Sequence, residues 1–125
     1  MTRWMLITIL SLGLAGIAGC GDPTPANDTC EAGKSCACAG EGTCTETCDG
    51  ADCQFACYDS GTCNFACPGG NCDAFCYGSG TCNLECSGGG CTLECLGNGT
   101  CNLDTCDQGC DLQCTSDTAT CNDNS

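Results

Sequence analysis

Cysteine is the side chain in this sequence with the most chemistry to offer. The chain has 21 cysteines in 125 residues and no histidine. A cysteine sulfur can accept a lipid, bind a metal ion or close a disulfide, and the spacing and the redox compartment decide among these. Because the number is odd, complete pairing of the thiols leaves one cysteine over. That one cysteine therefore needs an explanation separate from the other twenty.

The start of the chain has the pattern of an export signal. Arg3 precedes an apolar run from Trp4 to Ala18, which is shorter than the ~20 residues that a membrane-spanning helix needs. The run ends in Ile17-Ala18-Gly19-Cys20, which resembles the lipobox of bacterial lipoproteins. The resemblance implies cleavage before Cys20 and an acyl chain such as palmitate on that residue, so the remaining cysteines can all pair. An uncleaved anchor, or ordinary cleavage after Ala18, is the alternative.

The rest of the chain divides into three parts. Residues 21–29 contain two prolines and no large apolar side chain, which predicts a semi-extended tether. We assign residues 1–19 to the signal peptide, 20–29 to the lipidated cysteine and tether, 30–121 to a disulfide-rich repeat domain and 122–125 to a tail. Gly21 follows Cys20 where the inner-membrane retention signal of enteric bacteria has Asp, so the resemblance favours the outer membrane.

The cysteines recur with a period of nineteen residues. Three of the four cysteine columns between Cys44 and Cys114 keep this period, and in the fourth Cys106 is displaced by one. Each unit contains two copies of Cys-x-Φ-x-Cys, where Φ is apolar. Because side chains at i, i+2 and i+4 of a strand share a face, these three residues point inward together. Six copies have Phe or Leu at the centre: Phe55, Phe65, Leu84, Leu93, Leu103 and Leu112.

Two copies depart from this pattern. Glu46 occupies the centre in the first unit, where a position at the end of the stack would leave it solvated. Ala74 occupies the other, and the adjacent Phe75 offers an exchange of roles.

These units predict an all-β fold, a small disulfide-stapled β-solenoid of about four 19-residue rungs with two strands each. A unit that cannot bury its own inward side chains must stack on its neighbours, and Gly-rich turns connect the strands. A string of small disulfide modules is the alternative, and the constant period argues against it. The residue added before Cys106 is compensated before Cys110, which predicts a β-bulge in a maintained register.

Disulfides are expected where the strands converge at the turns, because the Cα atoms of a bridge lie within ~7 Å of each other. At one end of the rungs this predicts Cys48–Cys53, Cys67–Cys72, Cys86–Cys91 and Cys106–Cys110. At the other end Cys57 pairs forward with Cys63 or backward with Cys44. The forward scheme is favoured and adds Cys30–Cys36, Cys38–Cys44, Cys57–Cys63, Cys76–Cys82, Cys95–Cys101 and Cys114–Cys121.

Metal and catalytic chemistry fit the sequence less well. The abundance of cysteine and the motif at 36–38 resemble metallothionein, but metallothioneins are cytosolic and rich in lysine, so a metal cluster is the minor alternative. We expect no enzymatic activity and no cofactor, because histidine is absent and Lys34 is the one basic side chain after the signal. Larger β-solenoids use paired acids on polysaccharides, which keeps hydrolysis as an alternative.

The formal net charge of −14 argues against nucleic acid as a partner. We therefore expect membrane contact through the lipid on Cys20 alone, and we expect the acids mainly to keep the repeat soluble. Calcium is the possible cation, although the calcium-binding nonapeptide motif is absent. Its candidate ligands near turns are Asp49, Asp52, Asp59, Asp73 and Asp107.

The outward residues of the first strand of each unit form a regular polar array. The first column is Thr43, Thr62, Thr81 and Thr100, and the second is Thr45, Asn64, Asn83 and Asn102. We take this array as the candidate binding face, for a glycan or another polar ligand, or else as a hydrogen-bonded structural ladder. Thr-Cys-Thr at 43–45 resembles beetle-type antifreeze solenoids, which bind ice through paired threonine columns, but Asn replaces Thr in most of the second column.

As a whole, residues 20–121 resemble the Cys- and Gly-rich repeat lipoproteins of Gram-negative bacteria. The resemblance implies a membrane-anchored extracytoplasmic lipoprotein that acts as a structural or binding module. A cation-binding, ice-binding or glycan-binding solenoid is the alternative, and the oligomeric state is left open.

Overall fold

The computed structural model describes residues 27–125, which form eleven β-strands. They are β1 (Asn27–Glu31), β2 (Ser35–Cys38), β3 (Thr43–Asp49), β4 (Gln54–Cys57), β5 (Thr62–Ala66), β6 (Asp73–Cys76), β7 (Thr81–Cys86), β8 (Thr92–Cys95), β9 (Thr100–Cys106), β10 (Asp111–Cys114) and β11 (Thr120–Asp123). Within this range no helix is long and apolar enough to cross a bilayer. The signal peptide, Cys20 and most of the tether lie outside the described residues.

The strands alternate between two parallel sheets. The odd-numbered strands form a six-stranded sheet in the order β1-β3-β5-β7-β9-β11, and the even-numbered strands form a five-stranded sheet in the order β10-β8-β6-β4-β2. Because each strand pairs with the strand two places along the chain, the backbone winds into a β-solenoid of about five turns. The all-β solenoid is confirmed, and its continuous sheets replace the alternative of separate disulfide modules.

The solenoid has about five turns, one more than the four rungs predicted from the sequence. Strand β1 pairs with β3 at an offset of eighteen residues, Asn27 facing Thr45. Strand β11 pairs with β9 at an offset of twenty, Thr120 facing Thr100. The strands therefore begin three residues before the predicted repeat domain, 30–121, and end two residues after it.

The core is a narrow layer between the two sheets. Along the strands, buried and half-buried residues alternate, as the sequence pattern predicts. The rings of Phe55 and Phe65 stack inside the solenoid with centroids 4.6 Å apart. Ala74 keeps its inward place and is 1% exposed, whereas Phe75 is half-buried on the outer surface. The predicted exchange of Ala74 and Phe75 is therefore wrong, because strand alternation fixes which of the two faces inward.

Glu46 is buried, with 2% of its surface exposed. The expectation that it is solvated is wrong, because β1 adds a coil beside β3. Asp28 of β1 faces Glu46 in the ladder, and Phe65 faces it from the other side. The carboxyl group thus lies in the interior of the stack.

Ten disulfides connect successive strands across the turns, and all of them follow the forward scheme. They are Cys30–Cys36, Cys38–Cys44, Cys48–Cys53, Cys57–Cys63, Cys67–Cys72, Cys76–Cys82, Cys86–Cys91, Cys95–Cys101, Cys106–Cys110 and Cys114–Cys121. Their Cα–Cα distances lie between 5.8 and 6.4 Å, within the range for bridged cysteines. The backward pairing of Cys57 with Cys44 does not occur.

The predicted β-bulge is confirmed and centres on Thr105. Glu85 and Cys86 of β7 face Asp104 and Cys106 of β9, so Thr105 is the additional residue. Its φ angle is 59°, in the left-handed region that β-branched residues rarely adopt. The bulge absorbs the extra residue and returns Cys106 to the cysteine column.

Replacing this strained residue is expected to stabilise the protein. Asn tolerates the left-handed region better than Thr, so Thr105→Asn should raise the free energy of unfolding by about 1 kcal/mol. Guanidinium denaturation of the oxidised protein measures the change. Thr47→Asn is the matched control, because Thr47 is an exposed residue in the extended strand β3. An equal or larger gain in the control would show that the bulge stores no strain.

Candidate binding face

The candidate binding face lies on the outer surface of the six-stranded sheet. Adjacent strands place Thr43, Thr62, Thr81 and Thr100 in one column and Thr45, Asn64, Asn83 and Asn102 in the next. Strand β11 extends the columns with Thr120 and Asn122. The two columns thus span five successive strands, and they bring together all eight residues of the predicted array.

The asparagine column is a hydrogen-bonded ladder. Asn83 Nδ2 donates to Asn64 Oδ1, and Asn102 Nδ2 donates to Asn83 Oδ1, each at 2.7 Å. Asn122 Nδ2 continues the ladder by donating to Asn102 Oδ1 at 2.7 Å. Each of these three amides donates toward the preceding coil, so the side-chain dipoles align and polarise one another. The ladder therefore links four strands of the sheet through side chains as well as through the backbone.

A groove of about 500 Å³ runs beside this ladder. Its lining includes Asn64 and Asn83 of the asparagine column, and a third column of outward residues: Ala66, Glu85 and Asp104. The small side chain of Ala66 leaves room in the groove, and the bulge residue Thr105 also lines it. The array predicted from the sequence does not contain these four residues. The signal for Ala66, Glu85 and Asp104 was their nineteen-residue spacing, two positions after each asparagine, whereas Thr105 is the residue added at the bulge.

The groove combines amide and carboxylate groups. Glu85 and Asp104 are neighbours in adjacent strands, and Asn124 Nδ2 donates to Asp104 Oδ1 at 2.9 Å. Amides and carboxylates offer hydrogen bonds to hydroxyl groups, and the two adjacent carboxylates disfavour an anionic ligand. The groove therefore offers partners to hydroxyl groups or to a cation, and it repels anions.

The carboxylate of Asp123, at the end of β11, has a lowered pKa. The hydroxyl and the backbone N–H of Ser125 donate to Asp123 Oδ1 at 2.6 and 3.1 Å. These two hydrogen bonds, of which the hydroxyl's has the larger effect, hold the pKa of Asp123 below its usual value. The folded state favours the charged carboxylate, so the stabilisation that these two hydrogen bonds give is present at neutral pH. It is lost as the pH falls through the folded-state pKa.

The ladder is expected to contribute measurably to stability. Asn83→Leu removes two hydrogen bonds, one donated and one accepted, and should lower the free energy of unfolding by about 2 kcal/mol. Asn122→Leu removes one bond from an exposed end of the ladder and should cost about half as much. Denaturation of both oxidised variants gives the comparison. Equal stability of the two variants would contradict a ladder whose hydrogen bonds stabilise the fold.

The candidate calcium ligands and the groups of potential metal ligands occupy different places in the described residues. Asp59 Oδ2 accepts a hydrogen bond from the backbone N–H of Gly40 at 3.0 Å, so this carboxylate connects its own turn to the turn of the preceding coil. In residues 27–125, three groups of potential ligands gather within 4.8 Å: Cys48 with Cys67 and Cys72, Cys95 with Cys114 and Cys121, and Cys38 with Cys44 and Glu46. Each cysteine in them belongs to a disulfide and offers no thiolate. None of these groups contains Asp49, Asp52, Asp59, Asp73 or Asp107.

Comparison with protein-family models, with curated protein sequences and with solved structures finds no match to this chain.

Proposed function

We propose that this protein is an exported lipoprotein, anchored to a membrane through a lipid on Cys20, that acts outside the cytoplasm as a rigid structural or binding module without catalysis. One observation carries the proposal: ten disulfides use all twenty cysteines from Cys30 to Cys121. Of the 21 cysteines in the chain, Cys20 is the one outside these bonds. Modification by lipid accounts for it, in agreement with the lipobox resemblance.

The disulfides also support a location outside the cytoplasm. Cytosolic reductants keep most thiols reduced, so a chain held together by ten disulfides fits an oxidising environment such as the periplasm or the cell surface. Gly21 after the lipidated cysteine favours the outer membrane over the inner one. A tether of a few residues would hold the solenoid close to that membrane.

The candidate binding face supports the role as a module. The ladder stiffens the six-stranded sheet, and the adjacent groove offers a neutral glycan or a similar polar molecule a set of amide and carboxylate partners. Binding of a cation at Glu85 and Asp104, or of ice at the threonine column, is the alternative. Ice is the weaker of these, because the asparagine amides bond to one another.

Substitution of Cys20 tests the anchoring. Cys20→Ser should leave the precursor unprocessed and abolish incorporation of radioactive palmitate, because the sulfur that accepts the lipid is missing. Gly19→Ala keeps a small residue before the cleavage site and is the matched control, which should be processed and labelled. Cells producing the chain with its own signal supply both measurements. A mature protein that begins elsewhere and keeps a free Cys20 thiol would refute the proposal.

A further inference from the structure

Two exposed tyrosines lie face to face on successive coils of the solenoid. Tyr58 and Tyr77 follow β4 and β6 directly, nineteen residues apart. Their backbone N–H groups donate to the carbonyls of Cys38 and Cys57, each at 2.9 Å, so these backbone hydrogen bonds between coils fix both positions. The ring centroids are 5.1 Å apart and the ring planes differ by 8°. The two phenols are therefore stacked by the fold itself.

Both rings are accessible from solvent. Tyr58 is 43% exposed and Tyr77 is 47% exposed. An open groove of about 690 Å³ borders Tyr77 and is lined by polar groups, among them Asp59, Ser79 and Asn98. Small oxidants and water can therefore reach the phenol groups.

The composition makes these two phenols the main targets of oxidation. Thiols and methionine are usually the first side chains to be oxidised in a protein. The chain after the predicted signal has no Met, Trp or His, and it contains the two tyrosines of the whole sequence. The cysteines from Cys30 to Cys121 are already disulfides. Tyr58 and Tyr77 are therefore the side chains of the folded domain that a one-electron oxidant attacks most readily.

We propose that Tyr58 and Tyr77 form an oxidative cross-linking site that yields an intramolecular dityrosine. The oxidant is hydrogen peroxide, used by a haem peroxidase in one-electron steps. Each phenol loses one electron and one proton, and the two phenoxyl radicals form a carbon–carbon bond between ring positions ortho to the hydroxyls. The two ring hydrogens at these carbons then move to the phenol oxygens, which restores both aromatic rings. In total, two tyrosines and one hydrogen peroxide give one dityrosine and two water molecules.

The cross-link would join the chain in a way that the disulfides do not. Every disulfide bridges a sequence separation of four to seven residues, across one turn. A bond between Tyr58 and Tyr77 closes a nineteen-residue separation and connects equivalent points of two coils. It also survives thiol reductants, so it would hold two coils together when the disulfides are reduced.

Peroxidase treatment of the purified, oxidised protein tests the site. The wild-type monomer should gain dityrosine fluorescence and lose the mass of two hydrogen atoms, at a rate independent of protein concentration. Peptide mapping after reduction should find the cross-link between the peptides that contain Tyr58 and Tyr77. Monomer that keeps its full mass, or dityrosine found in dimers alone, would overturn the proposal.

Two variants test whether the coupling requires the stacked pair of rings or only the presence of tyrosine in the chain. Tyr58→Phe preserves the stack and removes one phenol, so its monomer should not lose the two hydrogens. The double variant Tyr77→Phe with Leu96→Tyr keeps two tyrosines in the same surface column but two coils apart, about 10 Å. It should give little or no intramolecular product. Coupling as fast as in wild type would show that the stacked geometry is not the cause.

Discussion

Reduction of the disulfides should unfold the described domain completely at room temperature. The ten bonds close short loops, each of which contributes about 2 kcal/mol in the loop-entropy model. Their sum exceeds the ~5–15 kcal/mol that a typical domain has in total. The apolar side chains that remain cannot replace this stabilisation, since the large buried ones are Phe55, Phe65, Leu84, Leu93 and Leu103. Loss of the circular-dichroism signal and of amide-exchange protection after addition of a phosphine reductant measures the effect.

Removal of single bonds provides the control for this experiment. The double variant Cys67→Ala with Cys72→Ala deletes a bond between two residues that are each 0% exposed, inside the solenoid. The corresponding variant at Cys114 and Cys121 deletes a bond in the last coil, where Cys114 is exposed. The interior variant should be destabilised more, because it also leaves a cavity. A reduced protein that keeps its spectrum and its protected amides would show that a conventional core suffices.

Gly78→Ala should destabilise the oxidised protein by more than about 4 kcal/mol or prevent its folding. A Cβ at Gly78 would overlap the backbone oxygen of Asp59 in the preceding coil. The turns stack backbone on backbone at this point, since the N–H of Ser79 donates to that same oxygen at 3.0 Å. Flexible side chains are not involved, so the clash can be relieved only by separating the coils. The yield of fully oxidised protein and its denaturation midpoint measure the effect.

Gly33→Ala is the matched control for the stacked turn. Gly33 has a φ of 73°, and a Cβ built there has no heavy atom within 4 Å. The substitution should cost only about 1–2 kcal/mol, the usual penalty of an L-residue in the left-handed region. If Gly78→Ala proves no worse than Gly33→Ala, close packing of the turns does not stabilise the solenoid.

The sequence predicts the fold well where the repeat is regular. The nineteen-residue period and the Cys-x-Φ-x-Cys alternation together determine the parallel stacking, the inward column and the pairing of cysteines across turns. Strand β1 was not predicted because its sequence, Asn-Asp-Thr-Cys-Glu, lacks the motif and pairs with β3 at an offset of eighteen. The burial of Glu46 follows from that additional coil, so it could not be inferred from its own unit.

The candidate binding face was predicted as a set of columns but not as a groove. Strand alternation alone places Thr62 and Asn64 outward, and the period stacks them on Thr81 and Asn83. The direction of the amide ladder depends on side-chain rotamers, and the groove depends on the small size of Ala66 and on the bulge at Thr105. The contact between Tyr58 and Tyr77 follows from the same period, although the sequence pattern does not distinguish stacked rings from rings turned apart.

The intact mass of the native protein extracted from membranes tests the central claim most directly. Before the measurement, free thiols are alkylated under denaturing conditions without reductant. We expect the mass of residues 20–125 with acyl groups on Cys20, no alkylated cysteine and the loss of twenty hydrogen atoms that ten disulfides require. An alkylated Cys20 without lipid, several alkylated cysteines, or bound zinc in a parallel native measurement would contradict an anchored, fully oxidised solenoid.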